Sequence, residues 1–248
     1  FPDFAVEAAE VSREIGRPVK VIWSREDDTR HDYYRPSTYN ELRGGIDDQG
    51  NIKAWEHKLV APSMAKSILP AMGALAPQWI PDWMISAVIK GAGFLLESSD
   101  PTTSEGSVEM PYKIENIDVR HIFHDPGIPL GPWRSVGHSQ NAFITESFID
   151  ELANLAGQDP YQFRRRLLSE HQDYLKVLDL VAEKSNWGNA GQGLHQGVAI
   201  HKSFGTIVSQ VVDLELVNDK PKLKRVTCAV DCGTAVNPDQ VAAQIESS

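Results

Sequence analysis

The chain reads as an α+β (mixed α/β) protein. Two observations carry this: strand-like stretches with apolar alternation occupy both ends of the sequence, and a block of amphipathic helices lies between them, so neither an all-helical nor an all-strand architecture fits. A third is size: 248 residues can bury a substantial core, as one large domain or two smaller ones.

Phe4, Ala8, Val11 and Ile15 recur at helical spacing, Gly16 stops the run and Pro18 follows, which predicts an amphipathic helix. Residues 18–24 (Pro-Val-Lys-Val-Ile-Trp-Ser) alternate and are rich in branched side chains, predicting a strand, and residues 25–30 read as a polar loop. Residues 38–46 and 52–61 flank Asp47-Asp-Gln-Gly-Asn51, the pattern of a β-hairpin. Periodicity fades from Pro62 to Ser107, where five prolines and several glycines interrupt the chain around Trp79 and Trp83. So long a stretch without pattern is expected to be a functional or partner-contacting excursion whose aromatics bury useful area.

A strand is predicted over 117–124, then a helix over 139–156 with Ile144, Phe148, Leu152 and Leu155 on one face and Gly157 as its stop. Asp159-Pro160 opens the next helix as N-cap and first turn, and its Arg164-Arg165-Arg166 run is expected to be a solvated face. Leu175, Leu178 and Val181 mark a third helix over 172–185. Strands follow at 198–204, 207–217 and 223–230, and a last helix at 239–246. Changes of pattern near residues 110 and 190 divide the chain into three lobes, 1–110, 111–190 and 191–248.

The bulk numbers exclude some partners. A hydrophobic fraction of 41% with 23% charged residues is ordinary for a globular protein. The formal net charge of −10 argues against nucleic acid or an anionic membrane surface. No run of about 18 apolar residues is present, so no membrane span is expected, and no signal peptide is visible. Phe1 enters a helical pattern without a lead-in and Ser248 closes inside another, so the chain is expected to be a fragment of a longer one.

Few side-chain constellations carry chemistry alone. His138, Ser139 and Asp150 have the letters of a hydrolase triad, yet no Gly-x-Ser-x-Gly surrounds Ser139 and Asp150 falls about three helical turns away. The histidines show no metal-ligand pairing: His121 and His124 face opposite sides of a strand, while His195 and His201 are too far apart to share an ion. Cys228 and Cys232 cannot supply a four-ligand site and read as small core or near-core residues. The stretch Asn189-Ala-Gly-Gln-Gly193 lacks the preceding strand and Gly-Lys-Ser/Thr ending of a phosphate loop.

The most informative segment is residues 131–153. Gly131-Pro-Trp-Arg-Ser-Val-Gly-His-Ser-Gln140 runs directly into an amphipathic helix, placing backbone donors, one Arg, one His and one Trp at a helix N-terminus, a place suited to an anionic or strongly polar ligand. A second strand–loop–helix, Cys228-Ala-Val-Asp-Cys-Gly-Thr-Ala-Val-Asn-Pro-Asp239 with Gln244-Ile-Glu246, lies near the end. Together with Asp3-Phe-Ala-Val-Glu-Ala-Ala9, the 16–27 segment, Tyr33-Tyr-Arg-Pro36 and Ser203-Phe-Gly205, these motifs occur in one order. In that order the chain resembles the molybdopterin-binding subunit of the xanthine dehydrogenase/aldehyde oxidase family. The nearest branch is that of the isoquinoline 1-oxidoreductase large (beta) chain and its membrane-associated aldehyde dehydrogenase relatives.

The resemblance implies a molybdopterin-binding domain, a molybdopterin-type molybdenum cofactor, and oxidation of an N-heterocycle or aldehyde with water-derived oxygen. Electrons would pass to a small iron–sulfur partner subunit. Trp133, Arg134, Ser135 and Gly137 fall on the family's aromatic-Arg-Gly-aromatic-Gly loop beside the molybdenum, and Gln244 on a Gln that holds the pterin end of the cofactor. Val136 stands where xanthine enzymes carry an aromatic that stacks on flat rings, which weakens a purine reading. The family's glycine-rich loop would fall before Phe1 and its base-bearing Gly-Glu beyond Ser248, so the isolated chain is expected to be inactive, with no catalytic residue of its own. Family members imply a periplasmic or outer-face membrane-associated location. The alternative is a non-catalytic interaction or scaffold module that retains the fold and uses Trp79 and Trp83 as a partner surface.

Overall fold

A computed structural model describes residues 3–77, 79–98 and 100–247; the expectations attached to Phe1, Pro2 and Ser248 lie outside those residues. The chain forms two compact units. Unit 1 comprises Phe1–Tyr39, Val60–Thr103 and His121–Val136; unit 2 comprises Asn40–Leu59, Ser104–Arg120 and Gly137–Ser248.

Unit 1 opens with helix α1 (Asp3–Ile15), stopped at Gly16, whose φ of 68° needs no Cβ penalty. Residues 18–24 do not form the expected strand. Alternation alone does not make a strand without a neighbour to pair with, and here a side chain does the anchoring. The Trp23 indole donates to Glu7 at 2.8 Å and packs edge-on against Phe4. The expected polar loop at 25–30 is instead helix α2 (Arg25–His31), started by a capping box in which Ser24 and Asp27 satisfy each other's backbone N–H groups.

The Pro-rich excursion is also helical. It contains α3 (Met64–Ala74), α4 (Asp82–Ser98) and the short α5 (Pro101–Ser104). Ser63 caps α3, and buried Asp100 accepts from the Ser63 and Thr103 hydroxyls at 2.6 and 3.0 Å and from the Ala65 amide at 3.0 Å. The two long helices approach closely at Gly73, where a Cβ would lie 2.5 Å from the Ile89 side chain. The outward face of α4 is apolar too: Trp83, Val88, Phe94 and Leu95 are each about two-thirds exposed. A helix apolar all round shows no amphipathic period, which is why the sequence pattern hid it.

Strands β1 (Tyr39–Ile46), β2 (Ile52–Ala61) and β3 (Ile117–Phe123) form a sheet of order β1-β2-β3, with the expected hairpin turn held by Asp47, which accepts from the Gln49 and Asn51 amides. In unit 2, α6 (His138–Leu155), α7 (Pro160–Leu167) and α8 (Gln172–Ser185) follow, then β4 (Leu194–Ser203), β5 (Thr206–Val217), β6 (Lys220–Asp231) and α9 (Pro238–Glu246). β4, β5 and β6 make an antiparallel sheet in that order. Alternate residues of β5, Ile207, Ser209, Val211 and Asp213, are buried. Ile207 and Val211 join a core of Trp55 and Ile52 from β2, Ile149 and Leu152 from α6, Phe163 from α7 and Leu178 and Val181 from α8.

One core member is a charge. Arg164 is fully buried, against the expectation of a solvated basic run. Its guanidinium donates to Glu146 Oε2 at 2.9 Å, to the Glu146 carbonyl at 2.9 Å and to Asp150 at 2.6 Å. Glu146 also accepts from the Tyr112 hydroxyl at 2.6 Å and the Ile200 amide at 2.9 Å, so one cluster ties α6, α7, β4 and the 105–116 segment. Burial alone disfavours the guanidinium charge; the carboxylates of Glu146 and Asp150 more than offset it and hold the proton more tightly.

Candidate functional site

The loop before α6 is anchored in unit 1. Leu130 forms a parallel bridge with Tyr34, whose amide donates to Pro129 at 3.1 Å and whose carbonyl accepts from Gly131 at 3.2 Å. The chain then turns, with the Val136 amide donating to the Trp133 carbonyl at 2.9 Å. Trp133 is more than half exposed, and the Arg35 guanidinium lies 5.9 Å from its ring centroid. Arg134 is exposed beside it. Val136 sits at φ 48°. A β-branched residue in the left-handed region is strained, and such strain gathers at ligand sites and switches.

Unit 2 continues from Gly137, a buried N-cap that adds no side chain to the first turn of α6. That turn buries polar groups. Gln140 is 6% exposed, and neither its amide nitrogen nor its oxygen has a hydrogen-bond partner among the described residues. Asn141 donates through Nδ2 to the Glu105 carbonyl at 2.8 Å. The ring of His138 meets that of His201 on β4, with Nδ1 and Nε2 2.9 Å apart. Gly106, at φ 81°, packs on both: a Cβ there would fall 2.8 Å from His138 Nδ1 and 2.9 Å from His201 Cε1. Phe204, in the β4–β5 turn at φ 48°, leans against His138 with centroids 5.9 Å apart. Burial, reinforced by the neighbouring His138, pushes the His201 imidazole down to about 4 from 6.5.

The hydrolase arrangement is not assembled. Asp150 is engaged by Arg164, and the His138 Nδ1 contact goes to His201. His201, Glu146 and Asp150 line a groove of about 330 Å³ floored by β4 and β5 and walled by Phe143 of α6.

Elsewhere in unit 2, β6 and α9 line a cleft of about 530 Å³ with Cys228, Val230, Cys232, Val241 and Ile245. Asp231 accepts from the Gly233 amide at 2.9 Å, and Asn237 caps α9 by accepting from the Asp239 and Gln240 amides. Both thiols are free; burial raises that of Cys228.

Trp133, Arg134 and Ser135 thus share one turn of unit 1, while Gly137 opens α6 and Gln244 stands exposed on α9, separate elements of unit 2. Among the described residues no group of three or more His, Cys, Asp or Glu side chains is arranged to hold a metal ion. The sequence reading missed the His138–His201 pair and the buried Gln140 amide. Nothing in the spacing links 138 to 201; the β4 register does.

Residues 84–168 match the molybdopterin cofactor-binding domain. That match spans the loop 131–137 and all of α6 and α7. Over 99% of its length the chain is 29% identical to the beta chain of isoquinoline 1-oxidoreductase from Brevundimonas diminuta and 26% identical to a chain of nicotinate dehydrogenase from Pseudomonas putida. It spans 30% and 21% of the lengths of these relatives. Quinoline 2-oxidoreductase of Pseudomonas putida 86 shares the fold with a TM-score of 0.51 at 20% identity, over 84% of this chain and 26% of that one. The α+β fold is therefore that of molybdopterin-binding proteins, and the resemblance drawn from the ordered motifs holds. Within unit 2, the buried Gln140 amide with both polar atoms unpartnered and the buried, unpartnered Ser107 hydroxyl are groups that a pterin edge or a phosphate takes.

Proposed function

We propose that this chain is part of the molybdopterin-binding large subunit of a molybdenum hydroxylase. The whole enzyme oxidises an N-heterocycle or an aldehyde with oxygen taken from water and passes the electrons to a separate iron–sulfur subunit. The observation that carries the reading is continuous similarity over 99% of the chain to a large subunit of that class. A scaffold module would have no need to keep similarity over so much of the chain.

In this reading Trp133, Arg134, Ser135, Gly137 and Gln244 hold the cofactor. The molybdenum centre supplies the two-electron chemistry; the residues of this chain bind and orient. The Arg134 guanidinium offers five N–H donors in a fixed fork for phosphate or pterin oxygens. The Gln244 amide can donate and accept along one pterin edge. Gly137 adds no side chain beside the N–H groups of the first turn of α6, which suit an anionic or polar ligand atom. Val136 offers no flat face for stacking, so ring selection falls to other side chains. Periplasmic or outer-face placement is part of the same proposal, tested by cell fractionation.

The experiment is metal and pterin analysis of the full-length protein. Near-stoichiometric molybdenum, with dye-linked oxidation of isoquinoline, nicotinate or an aldehyde, is expected. Protein purified from molybdate-fed cells without molybdenum or pterin would overturn the reading in favour of the scaffold alternative.

A further inference from the structure

The His138–His201 contact is a built feature. An N···N hydrogen bond at 2.9 Å needs one hydrogen between the two rings, so one nitrogen donates and the other accepts. It forms only because Gly106 lets the backbone lie against both imidazoles, at a φ and a spacing that exclude a side chain. On α6 and β4 the neighbouring charges are engaged: Glu146 and Asp150 grip Arg164, and Lys202 lies over the Tyr174 ring. On the 104–107 turn, Glu105 buries its Oε2 oxygen, which accepts no hydrogen bond among the described residues. On His201 the neighbouring charge that acts is that of His138. The contact joins the first turn of α6 to the β4 strand 63 residues away.

We infer that His138 and His201 form a proton-sharing clasp that positions the first turn of α6, with Gly137 at its start, and that the clasp opens when both rings become imidazolium. The neutral pair, or the pair with one added proton, can share a hydrogen; two imidazolium rings present only donors and repel. His138 and His201 are positioning residues. The use of the clasp in holding a cofactor rests on the reading proposed above; the clasp itself does not.

Amide hydrogen exchange on the full-length protein tests this without any turnover measurement, so its failure is separable from failure of the cofactor reading. Peptides covering residues 137–145 are followed at about pH 7.5 and about pH 5, with rates corrected for intrinsic chemistry. An opened His201 regains the ordinary value of 6.5 against about 4 when closed, so at about pH 5 protection should fall by up to about thirtyfold. Residues 174–182 of α8 should stay protected. His201→Gln, which keeps a hydrogen-bonding group that does not titrate, should hold protection at both pH values. His201→Phe, which keeps a ring without nitrogen, should lack it at both. His57→Gln, a change at the other buried low-pKa histidine, should leave the acid loss in place. If the acid loss persists in His201→Gln, the inference is overturned. It is overturned as well if His201→Phe protects residues 137–145 to the wild-type level. Should His201→Phe fail to fold, seen as loss of α8 protection, the pH profile of His201→Gln decides alone.

Discussion

Val136 shows how much a single backbone angle can report. Its φ of 48° costs about 1–3 kcal/mol for a non-glycine residue, and the loop keeps it next to Arg134 and Ser135. Val136→Gly should relieve that strain against an entropic loss of about 0.5–1 kcal/mol, so a net gain on the order of 1 kcal/mol is expected in urea titration. A loss of stability would mean that the loop relaxes to another conformation in solution. At Gly106 the opposite sign is expected. Gly106→Ala puts a methyl 2.8 Å from His138 Nδ1 at a φ of 81°, and should destabilise by more than about 1 kcal/mol in the same assay. The Trp-Arg-Ser turn could be found from its letters, because the motif is local in sequence. His138 could not be assigned from letters, because its partner is set by strand register 63 residues on.

Among the elements, those with a clear period were legible. The third helix of the central block, 172–185, lies where Leu175, Leu178 and Val181 put it, and the Asp159-Pro160 start of α7 is observed as an N-cap accepting from Gln162. A short helix is legible only through its cap: Ser24 and Asp27 form the box that starts α2 where residues 25–30 read as a polar loop. α3 and α4 were hidden for a different reason, since Pro70 interrupts one and the other has apolar side chains on every face. Arg164 was hidden by its own neighbours, because three consecutive arginines look alike until the packing buries one. Removing it should be severe. Arg164→Leu leaves Glu146 buried among Tyr112 and the Ile200 amide without its cation, and a loss of about 3–5 kcal/mol is expected by chemical denaturation. The double change Arg164→Leu with Glu146→Leu should recover part of that loss, because it removes the uncompensated charge.

At the scale of the whole molecule, His57 and His201 contribute to the acid side of stability. His57 Nε2 contacts Asn40 Oδ1 at 2.8 Å, and burial lowers its imidazole to about 4; His201 is lowered to the same extent. In each, the folded state binds its proton less readily than the unfolded chain. Stability is therefore fully present above about pH 6.5 and is lost as pH falls through about 4. The melting temperature should be flat near neutrality and decline through that window, and His57→Gln should shallow the decline; an unchanged slope would remove His57 from the account. The interleaved order of the two units carries a practical consequence for anyone cutting the gene. Unit 2 draws on Asn40–Leu59 and Ser104–Arg120 as well as everything from Gly137 onward. A truncation starting at residue 137 would keep α6, α7, α8 and the β4–β6 sheet but delete Ile52, Trp55 and Tyr112 from the core they share, uncovering Phe148 where the Trp55 ring now packs edge-on at 4.9 Å. No single pair of start and stop codons within this sequence frees either unit intact. A tidy subdomain for crystallisation would have to be made by circular permutation or by splicing separate stretches of chain, and trimming from the ends should give inclusion bodies.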